Sequence, residues 1–283
     1  MPIAVKKLSP NVGAEISGID LSEELPPEAV NTIRDAWLQH GVIVFRDQDL
    51  DDHAQVRVAE IFGELKMRPF PKKARAESQS GTDDPYDGYT MLVSNIRKDG
   101  KPIGSLPDGA MHFHADMVYT EVPARATILY GVEVTENGGE TLFASLTAAY
   151  DDLDEDTKAL LRGKRALQGF LQGTTFREDN TPDVSFVHPM VQVIPETGRK
   201  ALVVSRLLTF HVEDMDPAQS DALLERLFDH IERPENIYAH KWRPGDLVIW
   251  DNRTTVHGRN DFDPSERRLL RRYVTLGQKP VAA

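Results

Sequence analysis

No cysteine occurs in the 283 residues, so the chain can form neither a disulfide framework nor a thiolate metal site. Any metal it holds must rest on histidine, aspartate and glutamate. It lacks an apolar run of the roughly 18 residues that a membrane helix requires. The opening stretch MPIAVKKLSPNVGAEISG has neither an apolar core nor a small-residue cleavage pattern, so no secretion signal is expected. Positive charge is also short: 33 Lys and Arg stand against 45 Asp and Glu, a formal net charge of -12. With no basic stripe to offset that excess, a nucleic-acid partner is not expected. A G-x-G-x-x-G turn after a strand is missing too, which removes the usual dinucleotide reading. A cytoplasmic enzyme without a membrane partner fits these absences best.

The hydrophobic content of 40% supports a sizeable core, and the length suits one large domain. Pro26 and Pro27 open a helix whose stripe is Ala29, Val30, Ile33, Ala36 and Trp37, with Gly41 as its C-cap. Gly41 to Phe45 reads as a buried strand, and a second helix runs from about Asp51 to Phe62. From Lys66 to Pro107 the periodicity fails over a length too great for a simple connection. Two readings stand there, a lid over a site or a surface excursion. Strands follow at 127–132, 140–144, 184–194, 201–205, 238–242, 247–250 and 269–275, with helices expected within 145–172 and from Pro217 to Ile231. Many short strands, Gly and Pro turns and few helices argue for a sandwich or barrel rather than alternating β-α units.

The run Met111-His112-Phe113-His114-Ala115-Asp116 carries the chemistry. On a strand His114 and Asp116 point to one face, and a second histidine would complete the set that non-haem Fe(II) favours when open positions must be kept. The plain alternative is a strand-end histidine beside a surface aspartate. The best partner is His257, which closely follows the apolar strand ending at Trp250. Arg268 and Arg272 lie four apart, on one face of an extended segment. Turned inward they would need anions, which a guanidinium holds through a fork of donors; turned outward they would form a solvated basic rim.

These residues resemble the TauD/TfdA family, the taurine and aryloxyalkanoate dioxygenases, over nearly the whole chain. The resemblance runs from Gly13–Leu21 and Gly41–Gln48 through Phe113–Asp116, Gly138–Leu142, His188-Pro189 and Pro195–Arg199. It continues through Trp242–Asp246 and Trp250–Arg253 to His257 and the arginines. It implies a mainly β fold with peripheral helices, a distorted double-stranded β-helix (jelly roll, cupin-like). It implies one domain over residues 1–283, with an active-site lid at about 66–107. It makes His114, Asp116 and His257 the ligands of Fe(II). Arg268, eleven residues after His257, then grips 2-oxoglutarate with help from Thr141, and Arg272 meets the acidic group of the primary substrate. Dioxygen is the third reactant; the products are succinate, carbon dioxide and a substrate hydroxylated at a C–H bond, which falls apart if the attacked carbon bears oxygen or sulfonate. A homo-oligomer, dimer or tetramer, is usual in the family.

Phe113 replaces a frequent tryptophan and keeps an aromatic wall. Ala110 replaces the asparagine near the sulfonate in the taurine enzyme, which disfavours taurine. His112 and Asn95 are further candidates for the substrate pocket, together with Arg68, Phe70, Tyr86 and Tyr89 from the long excursion. The expected substrate is a small organic acid, a carboxylate of aryloxyalkanoate type before a sulfonate or sulfate ester. The competing class is a metal-dependent hydrolase or isomerase on a jelly-roll barrel.

Overall fold

Alternation of side chains along seven strands explains how the molecule is layered. A computed structural model describes residues 2–67, 86, 88–106, 108–177 and 181–283. Its largest sheet runs Ala4–Lys7, Ala14–Ser17, Val42–Phe45, Leu247–Asp251, Ala124–Glu133, Leu269–Leu276, Met91–Ser94. One face of its inner strands carries Ile43, Phe45, Ala126, Ile128, Tyr130, Leu247, Ile249 and Tyr273, packed with Ile33, Trp37, Ala54 and Val58 of the first two helices. The opposite face carries Val42, Val44, Leu129, Val248, Trp250 and Leu270 and packs with Phe143 of a second sheet. That four-stranded sheet runs Ile237–His240, Thr141–Ser145, Thr255–Arg259, Met111–His114. The two sheets face each other as a jelly roll, with helices outside.

Local chemistry sets the helices. Pro27–His40 starts on a proline and ends at Gly41, whose φ of 71° lets its N–H donate to the Trp37 carbonyl. Asp51 caps Asp52–Glu60 through the Ala54 N–H, and Asp216 caps Pro217–Ile231. One expectation is corrected. Residues 145–172 are helical only at Leu146–Asp151 and Glu155–Leu161, while Arg165–Phe170 is a strand. It pairs antiparallel with Val184–Pro189 on one side and Thr209–Val212 on the other. Ala166, Leu167 and Phe170 would suit either state, and long-range pairing decides.

Of the excursion at 66–107, residues 68–85 lie outside the described residues, and Arg68 and Phe70 with them. Tyr86 lies edge-on to Tyr273 and bonds His53 Nδ1 through its hydroxyl (2.9 Å). Its ring therefore belongs to the helix-side core.

Candidate active site

Two chain segments bring His114, Asp116 and His257 together. His257 lies directly opposite His114 in the antiparallel pair of Thr255–Arg259 with Met111–His114, and the rings stand 4.1 Å apart. Gly258 permits this close pairing, since a Cβ there would fall 2.9 Å from the Met111 carbonyl oxygen. Asp116 follows two residues after His114, and its Oδ1 lies 3.9 Å from Nε2 of each histidine. One ligand atom from each residue falls within 4.8 Å of the other two.

Most of the outer atoms of this group have protein partners. His114 Nδ1 donates to the His112 carbonyl (3.0 Å), which leaves the Nε2 lone pair for the centre. Asp116 Oδ2 accepts from Thr127 Oγ1 (2.6 Å), and its N–H donates to Asn252 Oδ1 (3.0 Å). Asn252 in turn donates to Thr127 Oγ1 and accepts from Trp250 Nε1. His257 Nδ1 has no hydrogen-bond partner. Its ring is oriented by packing instead, against Trp250 at 4.6 Å and His114.

Burial lowers the pKa of both imidazoles, so they stay neutral, the form that ligates metal. Burial works to raise Asp116, but the Arg272 guanidinium, helped by the Thr127 hydroxyl, holds the carboxyl well below its usual range. Two neutral imidazoles and one carboxylate oxygen, converging with an open side, suit Fe(II).

The arginines come from the opposing sheet. Arg268, Leu270 and Arg272 all line the cavity beside the triad, as strand alternation requires, together with Val93, Leu106, Met111, Leu129, Thr141 and Trp250. Arg271 points the other way, to Gln55, Asp52 and the Leu50 carbonyl, and Arg267 pairs at the surface with Glu133. Arg268 is 3% exposed and its Nη1 is buried without a partner. Burial, with Arg259 nearby, pushes its guanidinium down to about 9. A carboxylate entering the cavity would satisfy it. Arg272 Nη2 lies 2.6 Å from Asp116 Oδ1. Thr141 Oγ1 accepts from Trp242 Nε1 (3.0 Å), which leaves the threonine O–H free to donate into the cavity.

Two candidates stand elsewhere. His112 was expected on the face of His114, but it packs edge-on to Phe176 and accepts from the Arg177 N–H. Between the pairs His257/His114 and Arg259/Met111 the register shifts, so alternation breaks where it was relied on. Asn95 is spent on backbone: it donates to the Pro264 and Glu266 carbonyls and accepts from the Arg268 N–H. It steadies the arginine without lining the cavity. Thr127 and Asn252 were missed. The signal for Thr127 was a lone polar residue among inward positions of an apolar strand.

Known proteins share this arrangement of the whole chain. The family described as "Taurine catabolism dioxygenase TauD, TfdA family" matches residues 4–273. An alpha-ketoglutarate-dependent 2,4-dichlorophenoxyacetate dioxygenase of Burkholderia sp. (strain RASC) is 31% identical, covering 99% of this chain and 96% of its own. An alkylsulfatase of Acinetobacter baylyi is 32% identical, covering 99% and 87%. The crystal structure of AAD-2 with Mn(II) and N-oxalylglycine superposes with a TM-score of 0.80 at 29% identity, covering all of both chains.

Proposed function

The chain belongs to the taurine catabolism dioxygenase TauD, TfdA family, and from that premise we propose how its residues divide the work of a 2-oxoglutarate-dependent non-haem iron dioxygenase. In this reading a single domain over residues 1–283 holds iron on His114, Asp116 and His257. The observation that carries it is the convergence of those three ligand atoms opposite a buried, unpartnered Arg268 nitrogen. The family reading sets aside the jelly-roll hydrolase or isomerase.

When bound, iron and 2-oxoglutarate supply the oxidant that puts one oxygen atom of dioxygen into a C–H bond, with succinate and carbon dioxide released. The chain does the rest. Thr127 fixes Asp116 in one rotamer, so the other carboxylate oxygen faces the centre. Arg268 and the Thr141 hydroxyl hold the distal carboxylate of 2-oxoglutarate. Arg272, which pairs with Asp116 Oδ1, would be released to draw an anionic substrate once that oxygen ligates the metal, while Val93, Leu106, Met111, Leu129 and Leu270 cover the substrate's apolar body and exclude water.

The substrate in this reading is a small organic acid, an aryloxyalkanoate-like carboxylate. The 2,4-dichlorophenoxyacetate relative and the apolar walls support it. A sulfate ester is the second reading, favoured by the equally similar alkylsulfatase. A panel of both classes, assayed for acid-stimulated succinate release, tests it: release by carboxylates but not by sulfate esters is expected, and the reverse selects the second reading. We also expect a cytoplasmic homo-oligomer, dimer or tetramer, which light scattering of the purified protein would check.

A further inference from the structure

The large sheet ends on Met91–Ser94 and the small sheet on Met111–His114. The chain between these two strands must cross beside the cavity from one open edge to the other. It hugs the first edge: the Ser105 N–H donates to the Leu92 carbonyl (2.9 Å) and the Ser94 N–H to the Ser105 carbonyl (3.1 Å). On the far side the Arg259 side chain holds it. Arg259 lies two residues beyond His257 on the same strand and lines the same cavity. Its Nε donates to the Gly109 carbonyl (2.9 Å) and its Nη1 to Leu106 (2.9 Å). Its Nη2 donates to Asp108 (2.5 Å) and again to Gly109 (2.7 Å).

A buried cation satisfied by carbonyls of one loop is a costly fastening where apolar packing could serve. What it fastens is Leu106, whose side chain lines the cavity. The backbone of that leucine has φ 55°, a left-handed conformation that leucine adopts only when its surroundings impose it. We propose that Arg259 is a specificity-determining positioning residue: by fixing Leu106 in the cavity wall it limits the length of acid the site accepts. The limit rests on the reading above, in which acid substrates enter this cavity; the clamp itself does not.

The test uses Arg259→Met and Leu106→Ala in the full chain, with two measurements. Amide exchange over 103–106 in the purified protein should quicken by about tenfold or more in Arg259→Met, since several hydrogen bonds are lost, and stay unchanged in Leu106→Ala. Hydroxylation of a series of acids of increasing length should shift towards the longer members in both variants, by about fivefold or more in the long-to-short ratio. Unchanged exchange in Arg259→Met overturns the clamp. A length preference moved by Leu106→Ala but not by Arg259→Met overturns its role in specificity. If Arg259→Met does not fold, Arg259→Lys replaces it, with faster exchange expected and unchanged exchange again decisive against the clamp. If the unaltered protein releases no succinate with any acid, the functional reading fails, and the exchange result still judges the clamp.

Discussion

Arg253 and Arg268 are both arginines sunk into the protein, and their surroundings treat them in opposite ways. Arg253 donates through Nη1 to both oxygens of Glu196 (3.0 and 2.9 Å) and through Nε and Nη2 to Asp251 (2.9 and 2.8 Å). Burial opposes its charge, but Asp251 and Glu196 outweigh burial and raise its pKa. Arg268 has a buried nitrogen with no partner, a Phe262 ring 5.5 Å away, and a guanidinium driven down by burial. An arginine that brings its own anions ties a scaffold together. One that is buried without them is a place for an anion to arrive, because an unpaired buried charge is unfavourable until something pairs it. The charged cluster around Arg253 is therefore assigned to stability and the cavity around Arg268 to binding.

The sharpest break in that comparison comes from the acid of the cavity, Asp116, which pairs with Arg272. Asp116→Ala should abolish 2-oxoglutarate turnover, a loss on the order of a thousandfold or more, while the circular dichroism spectrum stays native. Succinate release that survives the change would sink the metal assignment. Next in size is the paired test of the arginines themselves. Arg268→Met should raise the KM for 2-oxoglutarate about a hundredfold, the worth of a lost charge-assisted pair, without lowering the unfolding temperature of the protein alone. Arg253→Met should leave that KM alone and cost about 3 kcal/mol of stability, because it strands the buried Asp251, while Glu196 keeps Arg125 (2.7 Å); denaturant titration reads this directly. A smaller effect belongs to Thr127→Val, which frees the Asp116 rotamer and should weaken Fe(II) or Mn(II) binding by about 10–100-fold in a calorimetric titration.

The sequence announced some of these residues and hid others, for physical reasons. Period-two alternation was enough to put Arg268 and Arg272 on one face with Leu270, because that strand is regular across the cavity. The same rule misled at His112, where the register shift opposite Arg259 breaks the alternation. The helices at Pro27–His40 and Pro217–Ile231 were legible because their caps and stripes are local. The strand Arg165–Phe170 was not, since its two partners come from 184–189 and 209–212. The contacts of Thr127 and Asn252 with Asp116 span 11 and 136 positions of sequence, and no spacing rule reaches across a fold. Arg259 was hidden for the same reason: its acceptors lie about 150 positions away.

The smallest expected effect tests the scaffold side through a proton. His240 and Asp246 are both fully buried. His240 Nε2 donates to Asp246 Oδ2 (3.1 Å), its Nδ1 accepts from the Tyr238 hydroxyl (3.0 Å), and Arg46 pairs with the same aspartate. Burial lowers the imidazole pKa, opposed only in part by the hydrogen bond to Asp246. The unfolded chain, with a histidine near the ordinary 6.5, then binds the proton more readily than the native protein does. Stability from this residue is accordingly complete above about pH 6.5 and drains away as pH falls below it towards the native value, by at most about 1.4 kcal/mol per pH unit. His240→Asn should be less stable at pH 7.5 yet lose less on going to pH 5.5, and urea titrations at the two pH values measure the difference. Equal losses in both proteins would mean that His240 titrates in the native state as it does in the unfolded chain, and a smaller loss in the unaltered protein would mean that it is already charged there. The cluster of Arg46, His240 and Asp246 would then be, like the Arg253 cluster, an ion network rather than a neutral imidazole held between a tyrosine and an aspartate.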